Sequence, residues 1–187
     1  MQKKLETKRR NRVTVILLSL ALTGAGCSGK RDSVTVQNEQ PAAATPGTPT
    51  LSSSVSAGDP KAAAQLVSGF FDITSGWRWT AGKFSVQLKT PAGASERGGN
   101  LNFSFTIPEV EIQKLKDLTL SASINGMPLK SATYNKAGGY NFVADVPSSM
   151  LPGDTVKVDF ALDKTLSTEL DKRPLGVIAV SVSIASK

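Results

Sequence analysis

"LNFSFTI", Leu101 to Ile107, alternates without a break. In an extended chain Leu101, Phe103, Phe105 and Ile107 share one face, and Asn102, Ser104 and Thr106 share the other. That two-residue period is the mark of a strand buried on one side. The same pattern repeats on both sides of it. "FSVQL" aligns Phe84, Val86 and Leu88, and "LTLSASI" aligns Leu118, Leu120, Ala122 and Ile124. The latter runs into Asn125-Gly126, whose residues both accept positive φ, so a tight hairpin should return as "MPLKSATY". "YNFVADV" from Tyr140 and "TVKVDFAL", with Val156, Val158, Phe160 and Leu162 inward, bracket a turn at Pro152-Gly153-Asp154. The last element, "LGVIAVSVSI", should turn Ile178, Val180, Val182 and Ile184 to the core.

With "WRWT", Trp77 to Thr80, these make about eight short strands. Only "PEVEIQKLKD" and "KAAAQLVSGF" offer helical alternatives. Short strands joined by Gly/Pro turns predict an all-β fold, an antiparallel β-sandwich of jelly-roll-like form over residues 61–187.

What precedes this domain reads differently. The net charge is +7, but Lys3, Lys4, Lys8, Arg9, Arg10 and Arg12 face only Glu6 within residues 1–26, and the rest holds 16 basic against 14 acidic side chains. So even a balance gives no electrostatic footprint for nucleic acid. The basic opening, the apolar run "VTVILLSLAL" and the small residues of "TGAGC" have the order of a secretory signal peptide, and the run is too short to span a bilayer. An uncleaved signal anchor is the alternative. "LTGAGC" resembles the lipobox of bacterial lipoproteins: Ala25 and Gly26 match, and Gly24 stands where an aliphatic residue is usual. The resemblance implies lipidation of Cys27, the only cysteine, and a membrane partner through that anchor. It implies a cell-envelope address, at the outer membrane if the source has two, because Ser28 follows the cysteine. Residues 27–60, rich in Ala, Pro, Thr and Ser, should be a disordered tether with a reach of roughly 30 Å.

The chemistry available is narrow. Histidine is absent, which removes the commonest general base and metal ligand. No zinc site or His-dependent nucleophile can be assembled. Calcium stays open through Asp154, Asp159, Asp163 and Asp171, although their spacing matches no calcium loop. Glu109 and Glu111 are a carboxylate pair on paper, but beside Pro108 they read as an exposed connection. No catalytic residue, metal or cofactor is therefore expected, and no enzyme activity.

Trp77 and Trp79 share a face of their strand and Arg78 the other. Either the indoles fill the core, the reading that alternate tryptophans favour, or one ring is exposed as a platform for a flat ligand. Arg78 could then pair with Asp171. "WRWT" and the Asp-x-Arg-x-Leu-Gly pattern of Asp171, Arg173, Leu175 and Gly176 resemble accessory β-sandwich domains of bacterial glycan-related proteins, over about residues 69–187. This resemblance implies a sandwich with a sugar-facing role, without a transferase domain. It also admits a purely structural Asp171, Arg173 and Gly176, with Gly176 allowing close approach. The expectation is a non-catalytic domain that binds carbohydrate or another envelope component through Trp77, Arg78, Trp79, Tyr134 and Tyr140. The alternative is a structural lipoprotein that docks an envelope protein.

Overall fold

The computed structural model describes residues 50–187. The leader, Cys27 and most of the expected tether lie outside the described residues. Nine strands follow in order: β1 Ser54–Ser56, β2 Leu66–Phe70, β3 Arg78–Lys89, β4 Gly99–Ile107, β5 Leu118–Ile124, β6 Met127–Tyr134, β7 Gly138–Val146, β8 Thr155–Leu162 and β9 Ile178–Ser186. Two short helices intervene, α1 Ala94–Arg97 and α2 Glu109–Leu115. Among the described residues no helix is long and apolar enough to cross a membrane.

The strands pair antiparallel throughout and form the predicted sandwich. One sheet runs β3-β9-β4-β7, with β1 beside the start of β3 on the same edge of β9. The other runs β2-β3-β8-β5-β6. Within a sheet, β2–β3 and β5–β6 are hairpins, and the other connections cross between sheets. The β5–β6 turn is the expected one, with Asn125 at φ 51° and Gly126 at φ 79°. Far from β3, Lys130 of β6 donates to the Val143 carbonyl of β7 at 2.6 Å and lies over the Phe142 ring, so the sandwich is nearly closed into a barrel.

The inward residues of β4, β5 and β8 are those the alternation selects. Phe84, Phe103, Phe105 and Phe160 stack at the centre, with ring centroids 4.8 to 5.5 Å apart. Burying each such ring contributes about 1.5–3 kcal/mol.

Four expectations change. "WRWT" and "FSVQL" are one strand: β3 pairs with β9 through Arg78 and Trp79, then turns a corner and pairs with β8 from Lys83 onward. Its register against β2 shifts between Ser85 and Thr80, which is where the extra residues of the bend go. Second, β9 carries a bulge opposite Ser104 and Phe105, so Ala179, Val182 and Ile184 face the core while Val180 is 46% exposed. Third, "KAAAQLVSGF" is a 3-10 turn, Pro60–Ala64, leading into edge strand β2, with Asp59 capping Lys61 N–H. Fourth, the folded domain begins before Ser54, inside the expected tether: β1 pairs with β9, and Val55 is 5% exposed. Polar neighbours hide so short a strand from composition.

Candidate functional site

Between β2 and β3 the chain reverses at Ser75-Gly76, with φ of 51° and 86°, and Thr74 and Trp77 exchange backbone hydrogen bonds across the turn. Both positions need left-handed backbone, which glycine takes without strain. The tip is held from below by Gly58, where a Cβ would lie 1.8 Å from the Gly76 carbonyl oxygen. Arg78 locks it from the side, donating from Nε to the Ala57 carbonyl at 2.9 Å and from its terminal nitrogen to the Phe71 carbonyl at 3.0 Å. The hairpin is thus a fixed mount.

Trp77 and Trp79 sit on that mount and outside the core. Both are half-buried, and their rings meet edge to face with centroids 6.2 Å apart. The core reading of the sequence fails because β3 starts on the outer side of its sheet. Trp79 pairs with Ile178, Ile178 with Thr106, and Thr106 with Gly139, and Thr106 points away from the core between buried Phe105 and Ile107. Cross-strand partners share a face, so the indole heads a row running outward across four strands. Three strand spacings make that row about 14 Å wide.

The rows of this face nearest the tryptophans carry no charge: they hold Ser104, Asn141 and Ser181, then Asn102, Val143 and Ser183. The row beyond holds Asn100 and Asp145, the latter paired with Lys187. Ser104 donates to Asn141 Oδ1 at 2.6 Å, while Asn102 Oδ1 is shielded and has no donor among the described residues. A Cβ at Gly139 would meet open space, so the floor is low there. The surface combines an aromatic wall with hydroxyls and amides, which are groups that orient a ligand without attracting ions. Asn102, Ser104, Thr106 and Asn141 escaped the sequence reading. The signal of the first three was present as the polar half of "LNFSFTI", and that of Asn141 in "YNFVADV"; such a pattern fixes a strand but does not mark a site.

The other sequence candidates fall elsewhere. Tyr134 and Tyr140 pack on each other at 4.5 Å and on Phe105 at 5.3 and 5.8 Å, closing one end of the barrel. Tyr140 donates to the Lys136 carbonyl, and burial, with a smaller push from Tyr140, raises the Tyr134 pKa. Arg78 does not meet Asp171. Asp171 instead takes a forked pair of hydrogen bonds from Arg173, at 2.9 and 2.6 Å, and those bonds hold its pKa down to about 2. Arg173 in turn lies 4.8 Å from the Phe71 ring centre, tying the 166–175 loop to the tryptophan hairpin. Gly176 donates to the Thr80 carbonyl at 2.6 Å, and a Cβ there would lie 2.5 Å from Leu162 and 2.6 Å from Thr80 Oγ1.

Glu109 and Glu111 do not converge. Glu109 is exposed and accepts from Gln113, whereas Glu111 is fully buried with neither carboxylate oxygen partnered among the described residues. Burial raises its pKa from 4.5 to about 8. The cause is local: at the third position of α2 a glutamate normally reaches back to the N-cap N–H, and here the N-cap is Pro108, which has none. The four aspartates weighed for calcium have separate settings. Asp159 pairs with Lys157, Asp163 accepts from Thr119 N–H, Asp171 pairs with Arg173, and the Asp154 carbonyl accepts from Thr90 N–H. Among the described residues no three Asp, Glu, His or Cys side chains are grouped to hold a metal.

No protein-family model and no curated protein matches the chain. Among solved structures, one described as "CBM4 structure and function" is similar over 72% of this chain and 85% of its own, at 12% identity and a TM-score of 0.33. A likeness that remote carries no weight for function, which rests on the geometry of the site.

Proposed function

We propose that this protein is a non-catalytic, lipid-anchored envelope protein whose sandwich binds neutral carbohydrate on the outer face of the β3-β9-β4-β7 sheet. The observation that supports the reading is the half-exposed Trp77–Trp79 pair, held on a fixed hairpin at the edge of an uncharged hydroxyl and amide surface. A sugar ring has one apolar face and a rim of hydroxyls. Its apolar face would stack on an indole, and Ser104, Thr106, Asn102 and Asn141 would exchange hydrogen bonds with the rim. Tyr134 and Tyr140 then serve the barrel end and Arg78 the mount, so neither would touch ligand.

The chain enters the domain near Ser53, whose carbonyl accepts from Ile184 N–H, six residues along β9 from Ile178 and so about 20 Å from the tryptophans. The described chain therefore enters the domain at the end of β9 away from the tryptophans. The test is a neutral-glycan array probed with the full-length chain carrying Cys27→Ser, beside the same chain with Trp77→Ala or Trp79→Ala. Binding by the parent and its loss in a variant with unchanged circular dichroism supports the reading. A parent that binds no glycan overturns it and turns attention to a protein partner. Anchoring is tested separately, by incorporation of labelled palmitate that Cys27→Ser abolishes.

A further inference from the structure

The second sheet also has a concave outer face, and nothing above uses it. Two rows of paired residues cross it: Lys83, Ala161, Ser121 and Ser131, and next to them Ser85, Asp159, Ser123 and Pro128. A register shift in β6 between Lys130 and Pro128, beside the Asn125-Gly126 turn, raises one wall. The resulting groove encloses about 640 Å³, within the range of small-ligand sites.

Its floor is a set of hydroxyls around one carboxylate. Ser85 Oγ donates to Asp159 Oδ1 at 2.6 Å, and Lys157 Nζ lies 2.8 Å from the same oxygen. Both contacts use Oδ1, which leaves the lone pairs of Oδ2 for a ligand hydroxyl. Burial pushes the Asp159 carboxyl up, but the hydrogen bonds from Lys157 and Ser85 outweigh it, and the group is held below its ordinary value as a charged acceptor. Ser131 donates to Ser121 at 2.9 Å, so the Ser121 hydroxyl keeps its own proton to give. The charges do not cancel. Lys157 neutralises Asp159, and Lys130 is spent on the Val143 carbonyl, whereas Lys83 on the rim has no acidic partner among the described residues.

We propose that this groove is a second binding site, for a short acidic saccharide containing a uronic acid. Ring hydroxyls meet Asp159, Ser121 and Ser123, and the carboxylate meets Lys83. No indole is needed, since the apolar part of the groove comes from Ala161 and Pro128. The site is independent of the neutral-carbohydrate reading: it lies on the other sheet, shares no residue with the tryptophan face and selects for charge.

The test is calorimetric titration of the full-length Cys27→Ser chain with a galacturonate trisaccharide and with its methyl ester. Binding of the acid with about fivefold preference over the ester is the result expected for one exposed charge pair. Lys83→Met, a rim change that leaves the core untouched, should erase that preference. Ser123→Val, on the floor, should weaken both ligands. Trp77→Ala should leave the acid bound as before. A parent chain that does not bind the acid overturns the proposal, and so does equal affinity for the ester. Loss of acid binding in Trp77→Ala overturns it as well, by moving the ligand to the other face. Failure on the neutral array would sink only the tryptophan reading.

Discussion

Replacing Glu111 by methionine should stabilise this protein at neutral pH and flatten its pH dependence. The carboxyl is buried, has no hydrogen-bond partner among the described residues, and has a pKa raised from 4.5 to about 8. The folded state therefore keeps a proton that the unfolded chain releases. The stability carried by that proton is fully present below pH 4.5 and is lost as pH rises from 4.5 to about 8. One pKa unit is about 1.4 kcal/mol, so by pH 7 the parent should have lost about 3 kcal/mol relative to pH 4. Methionine has similar volume, needs no partner and does not titrate. The window is clean, because the chain has no histidine and ordinary carboxyls finish titrating below it. Urea unfolding at steps from pH 5 to 8 should show the parent midpoint falling and the variant midpoint level, with equal slopes. A variant that falls as steeply as the parent refutes the argument and means that Glu111 finds a partner or water when ionised.

Three further outcomes follow from the packing. Trp79→Ala should cost only about 1–2 kcal/mol, the edge-to-face pair and some half-buried area, against about 3–5 kcal/mol for Phe103→Ala in the central stack, as read from paired denaturation curves. Gly176→Ala should destabilise by about 1–3 kcal/mol, since its Cβ would lie within 2.8 Å of Leu162, Thr80 and the Ala81 carbonyl, and a lowered melting temperature checks this. A chain cut to begin at Lys61 loses β1, uncovers that edge of β9 and empties the Val55 site, so it should melt well below a chain that begins ahead of Ser52.

The strands were legible wherever one face is buried and the other wet, because alternation then records burial directly. "LNFSFTI", "LTLSASI" and "TVKVDFAL" are such cases, and their inward residues are those named from the pattern. Legibility failed where a strand departs from that simple relation. In β9 one bulge at Val180 shifts the faces, and a period-two reading cannot detect one extra residue among Val, Ala and Ser. β1 is a short edge piece with little apolar area of its own, and β2 is apolar without clean alternation, since Val67 is exposed while Leu66 and Phe70 pack on the core; their partners make them strands.

The tryptophans show the same limit at the site. A period of two says that Trp77 and Trp79 share a face and is silent on which face it is. That is decided five to eleven residues later, where β3 turns its corner and buries Phe84, Val86 and Leu88 in the other sheet. Had the twelve residues been a straight strand, even spacing would have set Trp77 and Trp79 opposite in parity to the phenylalanine and so outside from the start. Treating "WRWT" and "FSVQL" as separate strands removed that relation and left the core as the default for a large aromatic. Parity through Thr80, which is fully buried, restores it: the residues on either side of Thr80 point out, and Trp79 is one of them. The platform was therefore encoded by continuity of one strand rather than by any motif. An insertion of one residue between Trp79 and Phe84 should be absorbed at the corner, where β3 already carries extra length against β2, and should leave both the core and the tryptophan face in place. The same insertion between Phe84 and Leu88, where β3 and β8 run in unbroken register, should unfold the domain.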